Sequence, residues 1–197
     1  MTTYTLTIDK PSLRALLACV SHPKTRRPEL EAIAIDGSKF IATDGHRMLV
    51  AEAADRPIVG GPQHVRVIPA DAYRTALLWT ITHKSLIEIK TSTTTYEIVV
   101  GGKSINGKLS ATTRFPAWEQ VVPGPLDVDG EGAPVVGFNP FYAADLALVG
   151  KATGATQDNP PTTRMEVRGK EDPVVWRVTS DQTPIREWTY VLMPVRL

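Results

Sequence analysis

The sequence predicts an α+β fold made of three copies of one plan: a strand, a helix and three further strands. Three observations carry this. Apolar residues alternate with period two in short runs, they switch to helical spacing once after the opening run of each copy, and Gly, Pro and Asp signals separate the runs. With 197 residues and 42% hydrophobic residues the chain can bury a real core, as one large domain or two small ones.

In the first copy Tyr4-Thr5-Leu6-Thr7-Ile8 alternates as a strand and Asp9 is a cap for the helix that follows, where Leu13, Leu16, Leu17 and Val20 share a face. Strands are expected over 30–35, 39–43 and 47–52, with Asp36-Gly37 as a two-residue hairpin turn between the first two. The second copy opens with a strand over 64–68. After Pro69 comes a helix whose Tyr73, Ala76, Leu77 and Ile81 share a face, then strands over 85–90, 95–100 and 104–111, with Gly101-Gly102 as a turn. The third opens with 134–138. Asn139 as N-cap and Pro140 at the first helical position begin a helix carrying Tyr142, Leu146 and Val149, and strands follow over 163–168, 174–179 and 188–195. Residues 124–132, rich in Gly, Pro and Asp, are expected to be a linker.

Composition excludes several function classes. No run of 18 apolar residues exists and the N-terminus has no basic-then-apolar leader, so a cytoplasmic location is expected. A net charge of +1 argues against a dense basic face for nucleic acid, although loose tracking along DNA needs only weak phosphate contacts. Cys19 is the single cysteine and is expected to be a core thiol.

The motifs of common chemistry fail on inspection. Gly102-Lys103-Ser104 lacks the earlier phosphate-loop glycine, since Glu97 stands there, and reads as a hairpin turn. Asp127, Asp129 and Glu131 imitate the start of a calcium loop, but Phe138 falls where its bidentate carboxylate belongs. His22, His46, His64 and His83 have no metal-ligand spacing. Asp44 and His46, two apart around a glycine, suit a tight turn better than an acid/base pair. The chain is expected to be no enzyme and to need no cofactor or metal.

Two distant segments are more informative: Ala42-Thr43-Asp44-Gly45-His46-Arg47-Met48 and the terminal Tyr190-Val191-Leu192-Met193-Pro194-Val195-Arg196-Leu197. With Arg114-Phe115-Pro116-Ala117-Trp118-Glu119-Gln120-Val121-Val122-Pro123 and Val136-Gly137-Phe138-Asn139, in this order and approximate spacing, they resemble the bacterial DNA polymerase III beta subunit, the replicative sliding clamp. The resemblance implies the DNA-clamp (processivity-fold) architecture, in which pairs of β-α-β-β-β units place antiparallel sheets behind helices on one side. Residues 1–123 resemble the complete middle domain, 124–132 a linker, and 133–197 the second half of the last domain.

The resemblance further implies a peptide-binding recess at Leu30, Thr43, Gly45, His46, Arg47, Met48, Pro116, Val121, Val191, Met193, Pro194, Val195, Arg196 and Leu197. Its apolar members would accept a leucine or phenylalanine anchor of a polymerase or repair protein, and methionine's flexible thioether suits several partners. Double-stranded DNA, bound without sequence preference, would meet Lys10, Arg14, Lys24, Arg26, Arg27, Arg74 and Lys151. A clamp ring has twelve units, so four copies of a three-unit chain would supply them, and a homotetramer with perpendicular two-folds is expected. The competing expectation is a module that never closes a ring and instead sequesters or competes for clamp-binding proteins.

Overall fold

The computed structural model describes residues 4–22, 27–54, 65–82, 84–109, 114–122, 140–154, 156, 161–167, 169, 172–181 and 183–194. Among these residues eleven strands and four α-helices follow in the order β1 (Tyr4–Asp9), α1 (Lys10–Ala18), β2 (Ala32–Asp36), β3 (Lys39–Thr43), β4 (Arg47–Ala53), β5 (Arg66–Pro69), α2 (Ala70–Leu78), β6 (Leu86–Thr91), β7 (Thr95–Val100), β8 (Lys103–Lys108), α3 (Pro140–Ala143), α4 (Leu146–Ala152), β9 (Thr162–Glu166), β10 (Val174–Thr179) and β11 (Ile185–Leu192), with a single 3-10 turn at Trp118–Gln120. The expected plan is present three times, except that the third copy's opening run, 134–138, and the linker 124–132 lie outside the described residues.

The strands form two antiparallel sheets. One has the order β1-β6-β7-β8, the other β5-β2-β3-β4-β11-β10-β9. The first two units therefore exchange their opening strands: β1 joins the second unit's strands by pairing with β6, and β5 joins the first unit's by pairing with β2. The last strand of the third unit, β11, then pairs along the whole of β4, so one sheet crosses from the first unit to the third.

Helices α1, α2 and α4 share one side of this frame, with α1 packed against both of the others. Between helices and sheets lies the main core, where Ile8, Leu13, Leu16, Phe40, Tyr73 and Trp188 are fully shielded. Burying one such aliphatic side chain contributes roughly 1.5–3 kcal/mol. The cap read at Asp9 is formed: its carboxylate accepts the Ser12 amide at 2.8 Å. Burial raises the Asp9 pKa, opposed by these Ser12 hydrogen bonds.

Four local expectations are corrected. The hairpin between β2 and β3 turns at Gly37-Ser38, because Asp36 still pairs with Lys39; Gly37 takes the positive φ of 57°. Helix α2 stops at Leu78, and Ile81, expected on its buried face, is 93% exposed beyond the end. The third helix is broken at Ala144-Asp145 because Asp145 turns its carboxylate to Arg47 rather than capping its own helix. Strand β11 begins at Ile185, ahead of the expected start, through a register shift against Ala53. No described helix is long and apolar enough to cross a membrane.

Cys19 is buried, and its thiol is pushed up to about 12 by burial, with the nearby Arg47 pulling the other way. At pH 8 a water-soluble disulfide reagent should therefore leave the native protein unlabelled over minutes and react at once in denaturant. Rapid native labelling would show that the region between α1 and the sheet opens freely.

Candidate functional site

The turn between β3 and β4 is built by its own side chains. The Thr43 hydroxyl donates to the Arg47 carbonyl at 2.7 Å and accepts the Gly45 amide at 3.1 Å. Asp44 accepts the amides of His46 and Arg47 on one oxygen, at 2.9 and 3.1 Å, which is an Asx-type turn. Gly45 sits at φ 91°, a conformation other residues reach only with strain. A Cβ there would meet only Arg27 Nη1 at 3.6 Å and Leu30 Cδ1 at 4.0 Å, so the backbone angle, rather than space, calls for glycine. The Asp44 carboxylate is thus committed to backbone amides, and the His46 ring stacks on Tyr142 with centroids 6.1 Å apart.

Arg47 fastens this turn to the rest of the molecule. Its Nε donates to Asp44 at 3.1 Å, one terminal nitrogen pairs with Asp145, and the other donates to the Ala18 carbonyl at the end of α1. The guanidinium carbon lies 4.7 Å from the Tyr142 ring centre. Arg47, Asp44 and Asp145 side chains are only 15%, 14% and 20% exposed, so the charges are paired in a poorly solvated place. The Tyr190 hydroxyl, donated to the Tyr142 carbonyl at 2.6 Å, closes the same junction, and burial raises its pKa.

The terminal strand meets this turn directly. Val191 pairs with Met48 and Leu192 with Arg47, and the Met193 amide donates to the His46 carbonyl at 3.0 Å. On the sheet face away from the helices, Met48 and Val191 join Ala34, Ile41, Val50 and Val175 in a second apolar cluster. The segment 114–122 crosses over it: Trp118 is buried there, its indole N–H donates to Asp36 at 3.1 Å, and Lys39 lies over its ring. Phe115, Val121 and Val122 pack at its side, half-buried.

The sequence-predicted peptide residues therefore occupy three levels. Leu30, Thr43, Met48 and Val191 are buried beneath the surface; Arg47, Val121, Met193 and Pro194 are half-buried; Gly45, His46 and Pro116 are exposed at the rim. Val195, Arg196 and Leu197 lie outside the described residues. Trp118, Tyr142, Asp145 and Val175 were not in the expected set. Trp118 lies inside the motif that carried the resemblance, whereas Tyr142 and Asp145 act across more than ninety positions, with no local signal.

The expected DNA residues are more scattered. Arg14 on α1 and Lys151 in the last turn of α4 are exposed on the helix side. Lys10 donates to the Thr80 carbonyl at 3.2 Å, and Arg74 pairs with Asp71 at 2.7 Å. Arg27 is exposed beside Gly45, at the turn rather than on a helix, and Lys24 and Arg26 lie outside the described residues. A shallow recess of about 500 Å³ beside Lys90, Tyr96 and Gly107 is on the other sheet. Among the described residues no three His, Cys, Asp or Glu side chains are grouped to hold a metal ion.

No protein-family model and no curated protein matches this sequence. Solved structures do. A DNA polymerase sliding clamp from Pseudomonas aeruginosa superposes with a TM-score of 0.65 at 17% identity, over 98% of this chain and 67% of that one. A sliding clamp (DNA polymerase III subunit beta) from the same organism, bound to griselimycin, gives 0.62 at 16% identity, over 98% and 65%. A protein described as a DNA polymerase III beta subunit from Eubacterium rectale gives 0.65 at 11% identity, over 98% and 66%. The chain thus has the sliding-clamp fold and spans about two thirds of the length of these proteins.

Replacing Arg47 by Ala should lower unfolding stability on the order of 3 kcal/mol, because two poorly solvated carboxylates lose their partner. Arg47→Lys should recover only part, since an ammonium cannot serve Asp44, Asp145 and the Ala18 carbonyl in one plane. Denaturant titration checks both, and equal stabilities of the Lys variant and the parent would show that only the charge matters.

Proposed function

We propose that this chain is a sliding-clamp-like processivity factor for DNA replication or repair, which takes short linear peptides of polymerases and partner proteins beside Met193 and encircles double-stranded DNA as an oligomeric ring. The observation that supports it best is the junction itself: the β4–β11 ladder sets the turn Thr43–Met48 against Met193 and Pro194, next to the crossing segment with Pro116 and Val121. Within this reading, 1–123 is a complete clamp domain, 124–132 a linker and 133–197 half of a further domain. Solved clamps of the same fold hold griselimycin or another ligand.

The chemistry of the proposed groove is that of an apolar anchor site. Met48 and Val191 form a closed floor, so a ligand would touch the half-buried layer of Val121, Val122, Met193 and Pro194. Around it His46 and Arg27 supply polar groups at the rim. A leucine or phenylalanine side chain laid on that layer gains its burial energy without unfolding the floor.

The sparse charge of the helix side favours a second reading, a module that captures clamp-binding peptides and closes no ring. On the described helices Lys10 and Arg74 already have protein partners, which leaves Arg14 and Lys151 there for phosphate. Light scattering and retention on circular but not linear DNA separate the two readings: a ring stays on a closed circle, and a monomer that binds peptide but never DNA supports capture.

Met193→Ala should weaken binding of a clamp-binding peptide about thirtyfold, the roughly 2 kcal/mol of a central apolar contact. The melting temperature should hardly move, since the side chain is half-buried. Unchanged peptide affinity in a calorimetric titration would remove the groove assignment.

A further inference from the structure

The end of α2 presents apolar side chains where a helix usually passes into a polar turn. Its last carbonyls are taken up locally: the Trp79 and Thr80 amides donate to Ala76 and Leu77, and the Thr80 hydroxyl donates to Leu77 at 2.7 Å. Beyond it Thr82 and Ser85 close a turn on each other. The Ser85 amide donates to the Thr82 carbonyl at 3.2 Å and the Ser85 hydroxyl accepts the Thr82 amide at 3.1 Å, which sets Ile81 and Leu86 at the two ends of that turn. Leu78 is 83% exposed, Ile81 93% and Leu86 55%. Trp79 turns inward and packs at the margin of the main core, so these three side chains stand on an anchored, hydrogen-bonded backbone.

The charge around them is of one sign. The Lys10 ammonium donates to the Thr80 carbonyl at 3.2 Å, where a cation suits the carbonyl end of a helix; Lys103 Nζ lies 5.7 Å from the centre of the Trp79 ring, and Lys84 is exposed within the turn. Among the described residues none of these three lysines is in an ion pair. The acids beside the patch along β1 and β6 are committed elsewhere. Asp9, which pairs with Leu86 across the ladder, is buried and accepts the Ser12 amide, while Glu88 faces Lys90 at 3.9 Å.

The patch is remote from the proposed groove. Lys10 opens α1 and reaches the end of α2, whereas Arg47 of the groove turn binds the Ala18 carbonyl at the other end of α1. The nine residues of that helix put about 13 Å between the two places.

Apolar exposure together with unpaired positive charge selects what fits. A second copy of this chain docked about a two-fold axis would set the same lysines against each other, which like charges oppose. The phosphates of a duplex would satisfy the ammonium groups but leave Leu78 and Ile81 uncovered against a charged backbone. An amphipathic segment carrying carboxylates answers both features. We propose that the end of α2 is a second docking surface for an acidic amphipathic segment of a partner protein, whose aliphatic side chains cover Leu78, Ile81 and Leu86 and whose carboxylates meet Lys10, Lys84 and Lys103. This docking stands on α2 alone, holds for either reading of function, and leaves the groove free to be filled at the same time.

The probe is a short designed helix with leucines on one face and glutamates on the other, beside a twin with lysines in place of the glutamates, each titrated into the full chain while the backbone amides are followed by nuclear magnetic resonance. The glutamate peptide should shift the amides of Leu78, Ile81, Leu86 and Lys103, bind more weakly as salt is raised, and behave alike on the Met193→Ala chain. Leu78→Ser combined with Ile81→Ser should weaken it at least about tenfold with an unchanged melting temperature. Lys84→Glu combined with Lys103→Glu should reverse the preference toward the lysine twin. Equal response to the two peptides, no binding at millimolar peptide, or shifts confined to the Thr43–Met48 turn overturns the proposal. So does either competing occupant: binding of mixed phosphatidylserine and phosphatidylcholine vesicles in place of the peptide would make the patch a membrane contact, and self-association of the parent that the double serine variant loses would make it a contact between copies.

Discussion

The antiparallel pairing of β4 with β11 is the constraint on which this molecule rests. It joins a strand of the first unit to the last strand of the third and makes one sheet of seven strands. Its register is fixed twice. On the helix side Leu49 and Tyr190 enter the main core as a pair, and on the other side Met48 and Val191 enter the second cluster as the next pair. A slip of one residue would send each set to the opposite face, so both cores oppose it. This explains why β4 carries Met48-Leu49-Val50-Ala51 as an unbroken apolar run where an antiparallel strand usually alternates: both of its faces are covered.

Arg47 adds to the ladder a polar fastening at its end. Three elements converge on one guanidinium: the turn through Asp44, the end of α1 through the Ala18 carbonyl, and the α3–α4 junction through Asp145. Charges held with so little solvent are costly unless every partner is present, which makes the arrangement intolerant of alternatives and hence specific. The same residue stands at the edge of the proposed groove. Groove shape and unit packing are therefore coupled, and a change at Tyr142 or Asp145, though neither lies in the terminal segment, would move His46 and with it the hydrogen bond that holds Met193.

Much of the fold was legible because its signals are local. Alternation marked strands such as β1 and β6, the Asp9 cap and Pro140 marked helix starts, and Gly101-Gly102 marked a turn that pairs Val100 with Lys103. What escaped depended on distant atoms. Ile81 fits the helical period of α2, but the helix ends before it, and Asp145 breaks the third helix because its carboxylate serves Arg47. The turn at Gly37-Ser38 rather than Asp36-Gly37 is set by Asp36 remaining in the ladder, where Trp118 bonds it from across the sheet. For the candidate site, the sequence named residues the structure gathers at the β4–β11 junction but not their depth. It assigned Met48 and Val191 to the wall of a recess, and they lie beneath it because Trp118 and Val121 cover them.

Charge on the helix side bears on how such a chain could hold DNA at all. Among the described helix residues, the two exposed cations Arg14 and Lys151 would together contribute about −1.8 to the slope of log affinity against log salt, at about 0.9 per neutralised phosphate. Contacts so few make a weak, fast-exchanging association with phosphate, far from the many contacts of proteins held by electrostatics alone. Affinity from these residues would not keep a chain on a duplex during synthesis. Weak contact is nevertheless what sliding requires, since each phosphate must be released as the next is met. Persistence and mobility are compatible only if retention comes from enclosure, so under the proposed function the closed ring, rather than charge on the helices, would hold the chain on the duplex.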